Sequence, residues 1–72
     1  MTSNERLRAT RIDSDHKQKD TAEIIKCSEK QIGRYESGEQ EMTMSKLRDF
    51  CLYYQVSADY ILGLPKGLKW PR

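Results

Sequence analysis

The apolar residues between positions 44 and 54 restrict the fold of this 72-residue chain more than any other feature. They are spaced by three, three, one and three positions, as Met44, Leu47, Phe50, Cys51 and Tyr54. This spacing places their side chains on one face of an α-helix. Thr43 directly precedes them and is a residue type that caps helix N-termini. The sequence therefore predicts an amphipathic helix here, with its apolar face packed on other elements.

Two further helices are predicted nearer the N-terminus. Residues 4–13 are rich in Arg, Glu, Leu and Ala, which favour helix, and Ser3 or Asn4 can serve as the N-cap. Residues 18–26 predict a second, short helix with Ala22 and Ile25 on one face. Asp20 lies in its first turn, where a negative charge interacts favourably with the helix dipole.

A third helix is predicted to begin after Ser28, because Ser28 and Gln31 have the S-x-x-Q spacing of a capping box. It runs to about residue 36, and Gly38 suits the left-handed position that commonly ends a helix. Ile32 and Tyr35 face one way on this helix. The opposite side carries residues that do not belong to a core, namely Glu29, Lys30, Gly33 and Arg34.

The amphipathic helix after Thr43 is the fourth, and a fifth is predicted after Ser57, which is its N-cap. Asp59 lies in the first turn of this fifth helix, and Gly63 and Pro65 end it. No segment alternates as a β-strand does, and no internal repeat is present. The sequence therefore predicts an all-α fold of five helices. Its length allows one domain and one small core.

Composition argues against several other classes of protein. No apolar run approaches the roughly 18 residues of a membrane span, and the N-terminus carries no apolar signal segment. We therefore expect a cytoplasmic protein without a membrane partner. For Cys27 and Cys51 a disulfide is possible, but buried thiols in a reducing compartment are favoured. His16, the only histidine, is interpreted as a solvated loop residue.

No catalytic or metal-binding group can be assembled from these residues. The sequence has neither a nucleophile paired with a base nor a cluster of metal ligands. It also lacks a glycine-rich phosphate loop. We expect neither enzyme activity nor a metal, cofactor or small-molecule ligand.

The second and third predicted helices, joined by a tight connection, have the arrangement of a helix-turn-helix. Two motifs accompany them, RYESG at 34–38 and VSADYILG at 56–63. From residue 7 to about 63 the chain resembles the lambda-repressor-like, Cro-like (Xre-type) family of DNA-binding domains. The resemblance implies a five-helix domain over residues 1–64, with the helix-turn-helix at helices 2 and 3. Residues 65–72 then form a short basic tail.

Three positions depart from the family pattern. Residues 15–17 (DHK) stand where the family usually has Gly-Leu-Thr, so the second helix lacks a threonine cap, at a cost of about 1 kcal/mol. Thr21 occupies a position where a core leucine is common. Lys26 stands where glycine or asparagine is common. These differences concern the turns on either side of the second helix and leave the third unchanged.

The resemblance implies which residues read DNA bases. A helix in the major groove needs polar side chains on its outer face, since base edges there present distinguishable donors and acceptors. Glu29, Lys30 and Arg34 occupy the family's base-contacting positions. Arg34 suits a bidentate pair with guanine, Lys30 suits guanine or phosphate, and Glu29 suits cytosine N4. Gly33 leaves room for a close approach to a base or methyl group.

A second set of residues is expected at the DNA backbone. Gln18 lies at the N-terminus of the second helix, where free amides and the dipole favour a phosphate. The other candidates for phosphate contacts are Lys17, Lys19, Gln31, Gln40 and Thr43. For the lysines a purely solvated role is the alternative.

The net charge of +2 conceals an uneven distribution. Residues 1–34 carry eight basic and six acidic side chains, whereas residues 35–65 carry two basic and five acidic ones. The tail adds three basic residues. We expect the acidic residues of 35–65 to lie on surfaces that face away from DNA.

The resemblance implies a sequence-specific regulator of transcription that binds a double-stranded DNA operator, as a repressor of a prophage or mobile element. A homodimer is expected, since such domains bind paired half-sites about 34 Å apart. Leu64, Leu68 and Trp70 lie beyond the domain and either fold back on its core, which is favoured, or form a dimer contact. The alternative function is an antitoxin-like protein-interaction module of a toxin–antitoxin pair.

Overall fold

The structure, a computed structural model, describes residues 1–67 and 69–71, and that part of the chain is all-α, as predicted. Its five helices are α1 (Ser3–Asp13), α2 (Gln18–Ile24), α3 (Glu29–Ser37), α4 (Met44–Tyr54) and α5 (Ala58–Leu62). None of the helices in the described residues is both long and apolar enough to cross a bilayer.

One hydrophobic cluster joins these helices. The buried apolar residues are Leu7, Ala22, Ile25, Ile32, Tyr35, Phe50 and Ile61. Each helix contributes to this set or flanks it, and α3 packs on both α1 and α2. Cys27 and Cys51 are free and half-buried at the edge of the cluster. Burial raises the pKa of both thiols and keeps them protonated.

Three of the predicted caps are confirmed. The hydroxyls of Ser28, Thr43 and Ser57 accept hydrogen bonds from backbone amides three residues later, at 3.1, 3.3 and 3.0 Å. Each bond satisfies one of the amides that a helix N-terminus leaves free. These caps therefore set where α3, α4 and α5 begin.

The predicted N-cap of α1 is wrong, because Thr2 occupies that position instead of Ser3 or Asn4. The Thr2 hydroxyl accepts from the amide of Glu5 at 3.2 Å, and the Glu5 carboxylate accepts from the Thr2 amide at 2.9 Å. This reciprocal pair is a capping box, and it satisfies two donors at once. A box begun at Ser3 would place Arg6, which has no acceptor, at the reciprocal position.

Helix α2 ends at Ile24, two residues before the predicted end, because Lys26 adopts a left-handed conformation with φ of 58°. The amide of Cys27 then donates to the Ala22 carbonyl at 2.9 Å, a bond typical of helix ends. The Lys46 ammonium donates to the carbonyls of Ile25 and Lys26, at 2.7 and 2.9 Å. A lysine from α4 therefore stabilises the turn of the helix-turn-helix.

The apolar face of α4 is shorter than its sequence indicates. Phe50 is buried, and its ring lies 4.6 Å from that of Tyr54, centroid to centroid. Met44, at the other end, is 89% exposed and does not belong to the core. Met44 is the first residue of α4, directly after its cap, and no other element covers it.

His16 and Thr21 are joined by a polar network through the hydroxyl of Tyr54. His16 is half-buried, and its Nδ1 lies 2.8 Å from the Tyr54 hydroxyl, so the interpretation as a solvated residue is wrong. The same hydroxyl lies 2.7 Å from that of Thr21, which is only 1% exposed. Burial raises the pKa of Tyr54 and keeps its phenol neutral. Thr21 thus fills the position of a core leucine because Tyr54 satisfies its hydroxyl.

Candidate nucleic-acid interface

Helix α3 presents two different faces because of the sequence between its caps. Ile32 and Tyr35 are buried, with 2% and 4% of their surface exposed. On the other face Glu29 and Lys30 are exposed, while Gly33 and Arg34 are half-buried. The structure therefore places the predicted reading residues together on the outward face, held from behind by two core residues.

Gly38 ends α3 in the left-handed region, with φ of 83°. This conformation favours glycine, and a Cβ atom here would also displace the Asn4 side-chain amide. The chain reverses here and runs back beside the last turn of α3, where the Gln40 amide donates to the Arg34 carbonyl at 3.2 Å. The loop after α3 is thereby fixed next to the outward face.

A buried ion pair connects α3 to the N-terminal helices, and sequence reasoning did not identify it. The Arg11 guanidinium donates to both carboxylate oxygens of Glu36, at 2.7 and 3.0 Å. The two side chains are only 11% and 7% exposed. The hydrogen bonds to Glu36 raise the pKa of Arg11 further above its already high value, so the guanidinium stays charged.

Two further bonds extend this pair into a junction of three helices. Arg11 also donates to the His16 carbonyl at 2.9 Å, and the Gln18 amide donates to Glu36 at 3.2 Å. Gln18 also lies beside Gly33, since a Cβ there would be 3.8 Å from its amide group. The junction fixes the N-terminus of α2 against the outward face of α3.

The six predicted phosphate-contacting residues lie in two parts of the chain, three around the N-terminus of α2 and three on or after α3. Lys17 and Lys19 are exposed on either side of Gln18 at the N-terminus of α2. The side chain of Lys17, the N-cap residue, makes no capping bond, as the lack of a threonine there predicts. The Lys17 amide instead donates to the Asp20 carboxylate at 2.8 Å. Gln18 is half-buried and is already engaged with Glu36.

The remaining three lie on or after α3. Gln31 is half-buried. Its backbone amide donates to the Ser28 hydroxyl, as the predicted capping box requires, but among the described residues its side chain does not return a bond to the Ser28 amide. Gln40 is exposed in the loop after α3. Thr43 is exposed as well, but its hydroxyl accepts from the amide of Lys46.

The prediction that the acidic residues of 35–65 lie away from this face is wrong for Glu39. Its carboxylate lies 3.9 Å from the Nε atom of Arg34, and the two side chains are 70% and 40% exposed. The reason is the reversal at Gly38, which returns the chain to α3 instead of carrying it to the far side. Arg34 therefore has an acidic neighbour in the free protein.

The sequence and the fold both match known proteins. A family model described as a helix-turn-helix domain matches residues 5–61. The chain belongs to this helix-turn-helix family. The helix-turn-helix fold also matches the crystal structure of the P22 c2 repressor protein in complex with synthetic operator 9T in the presence of Tl⁺. The TM-score is 0.81 at 27% identity, over 86% of this chain and 94% of that chain.

These matches confirm that this helix-turn-helix protein is lambda-repressor-like and Cro-like in fold. Among curated proteins no significant sequence match exists. The helix-turn-helix itself consists of α2 and α3 with the turn at residues 25–28, as the resemblance implied.

Proposed function

We propose that this helix-turn-helix protein is a sequence-specific double-stranded-DNA-binding regulator of transcription, and a repressor of a prophage or mobile element. The observation that carries the proposal is the outward polar face of α3, backed by buried Ile32 and Tyr35. The major groove admits one α-helix, and base edges there are read by polar side chains. The P22 c2 repressor, which shares the fold, was crystallised with an operator.

Within this proposal, Glu29, Lys30 and Arg34 read bases, and the residues around the α2 N-terminus meet phosphates. Lys17 and Lys19 are exposed there. The side-chain amide of Gln18 already donates to Glu36, and its remaining N–H would donate to a phosphate oxygen. The first backbone amides of α2 would donate to the same phosphate. Gln31, Gln40 and Thr43 are the proposed backbone contacts along α3 and after it.

We also propose that the DNA-binding domain spans residues 1–64 and that the protein binds as a homodimer. Helix α5 ends at Leu62, and Gly63 follows it in a left-handed conformation. Leu64 and Trp70 line one groove with Arg6 and Tyr60, so the chain turns back towards α1. The two side chains are nevertheless 44% and 62% exposed and do not join the core, as had been favoured. Leu68 lies outside the described residues. These exposed apolar side chains are available to a second copy.

The dimer is tested by sedimentation equilibrium over a range of concentrations, with and without a bound duplex. We expect two copies of the protein on each operator, because one short helix contacts only one half-site. A mass that corresponds to one copy, both free and on DNA, would contradict the dimer. The DNA-reading role would be unaffected by that result.

Selection of bound sequences from a pool of random duplexes tests the function itself. We expect enrichment of a palindromic consensus, because a two-fold dimer imposes its symmetry on its site. If no sequence is enriched, the proposal fails, and the alternative of an antitoxin-like protein-interaction module is favoured. The selected consensus also provides the operator needed for the tests below.

Gly33→Ala is expected to change stability and DNA binding in opposite directions. Inside a helix, alanine is more stable than glycine by about 1 kcal/mol, so the substitution should raise the free energy of unfolding. The new Cβ atom would make only ordinary contacts with Gln18. The added methyl group would instead obstruct the approach of α3 to the bases, at about 1 kcal/mol or more of binding free energy. Urea denaturation and fluorescence anisotropy measure the two effects. A stabilised protein with unchanged affinity would show that no close approach occurs at Gly33.

A further inference from the structure

The side chain of Gln18 lies over Gly33, the residue on the outward face of α3 that has no side chain. A Cβ atom at Gly33 would be 3.8 Å from both the Oε1 and the Nε2 atom of Gln18. Residues three and four positions apart are neighbours on a helix, so Gly33 lies beside Glu29 and Lys30. The amide group of Gln18, although it belongs to α2, therefore occupies the place of a side chain at position 33, next to two residues proposed to read bases.

Glu36 determines which end of this amide faces the protein. The Glu36 carboxylate is paired with Arg11, is only 7% exposed, and accepts a hydrogen bond from the Gln18 Nε2 atom at 3.2 Å. An ionised carboxylate only accepts hydrogen bonds, so reversal of the amide would place its oxygen against those of Glu36. The nitrogen therefore stays on the side of Glu36.

The Oε1 atom of Gln18 is an acceptor available to DNA. Among the described residues it accepts no hydrogen bond, and it is not one of the buried atoms that lack a partner, so it is open to solvent. In the major groove, adenine and cytosine present amino groups, at N6 and N4, which donate hydrogen bonds. Guanine and thymine present acceptor oxygens there instead, at O6 and O4. A fixed acceptor can therefore distinguish the first two bases from the other two.

We propose that Gln18 is a specificity-determining residue, whose Oε1 atom accepts a hydrogen bond from the amino group of adenine or cytosine and disfavours guanine and thymine. This inference rests on the proposed function and goes beyond the phosphate contact of the same side chain, which uses the remaining N–H. Adenine or cytosine gives Oε1 a donor in place of water. Guanine or thymine removes the water and supplies no donor, and the amide held by Glu36 does not reverse to compensate.

The test compares Gln18→Ala with Gln40→Ala, which removes the same type of side chain from a proposed phosphate contact after α3. Each base pair of the selected consensus is replaced in turn by the other three, with the same change in both half-sites. Dissociation constants of the wild-type protein, the two glutamine variants and Arg34→Ala are measured by fluorescence anisotropy. A base preference is the ratio of two dissociation constants of one protein, so any loss of folded protein cancels.

We expect the wild-type protein to prefer adenine or cytosine over guanine and thymine by about three- to tenfold at one position on one strand of each half-site, the effect of one hydrogen bond. Gln18→Ala should lose this preference, since alanine has no acceptor to satisfy. Gln40→Ala should weaken binding to every duplex by one common factor and keep the preference. Arg34→Ala should keep it as well, because Arg34 is proposed to read a different base.

The proposal is overturned if Gln18→Ala weakens binding to every duplex by one common factor, because Gln18 then contacts only the DNA backbone. It is also overturned if the preference that Gln18→Ala removes is one for guanine or thymine. Failure of the proposed function gives a different result, in which no sequence is enriched and the wild-type protein binds all duplexes alike. The two failures are therefore distinguishable.

Discussion

Glu36→Gln is expected to lower the free energy of unfolding by about 3 kcal/mol. The substitution leaves the Arg11 guanidinium buried beside a neutral amide, and removal of one partner of a buried ion pair costs about 3–5 kcal/mol. The pair is 11% and 7% exposed, and Gln18 and His16 are bonded to it. Urea denaturation followed by circular dichroism at low temperature measures the loss.

Two variants make this prediction specific to burial. Arg48→Ala removes an arginine from an exposed pair with Asp49 and should cost less than about 1 kcal/mol. The double substitution Arg11→Met with Glu36→Leu should recover most of the loss, since apolar residues of similar volume often replace a buried pair without cost. A loss from Glu36→Gln no greater than that from Arg48→Ala would contradict the stabilising role of the junction.

Arg34→Ala is expected to weaken binding to the selected consensus by roughly 1–3 kcal/mol for each half-site, the value of one bidentate pair with a base. The free energy of unfolding should be nearly unchanged, since the Arg34 side chain is 40% exposed and, among the described residues, its ion pair is with exposed Glu39. Binding to random DNA should also change little. Fluorescence anisotropy titrations on the two duplexes measure both quantities.

Arg48→Ala serves as the matched control for this substitution as well. It removes the same charge from α4, where the side chain is 66% exposed. If each arginine only attracted DNA through its positive charge, Arg34→Ala and Arg48→Ala would both weaken binding to the consensus and to random DNA by the same factor. An equal loss on the two duplexes for Arg34→Ala would therefore exclude a base-reading role for this residue.

The parts of the fold that the sequence predicts are those set by neighbouring residues. Ser28, Thr43 and Ser57 each act on an amide three positions away, so their spacing is visible in the sequence. The capping box of Thr2 and Glu5 has an equally local signal in its T-x-x-E spacing. Ser3 and Asn4 obscure this signal because both are stronger N-cap residue types than threonine.

Contacts between distant residues could not be predicted in the same way. Arg11 follows Leu7 at helical spacing, which places it on the buried side of α1, but its partner Glu36 is 25 residues away. His16 meets Tyr54 across 38 residues. In both cases a polar residue is buried because a partner on another helix satisfies it, and that partner becomes apparent only when the helices are packed.

The candidate site also has one feature that the sequence predicts and one that it does not. The periodicity of α3 predicts which side chains face outward, and the structure places Glu29, Lys30 and Arg34 there. The sequence also predicts the left-handed turn at Gly38. It does not predict that the chain then runs back to Arg34, where the Gln40 amide bonds the Arg34 carbonyl and Glu39 comes to lie beside the guanidinium. For this reason the charge distribution by segment predicted the wrong side for one acidic residue.

The measurement that tests the central claim most directly is a loss-of-contact titration at the base read by Arg34. The symmetric guanine positions of the selected consensus are replaced in turn by each other base, and the wild-type protein and Arg34→Ala are titrated with every duplex. We predict that the wild-type protein prefers guanine by about tenfold or more at one such position and that Arg34→Ala shows no preference there. If both proteins show the same base preference at every position, α3 does not read DNA through Arg34.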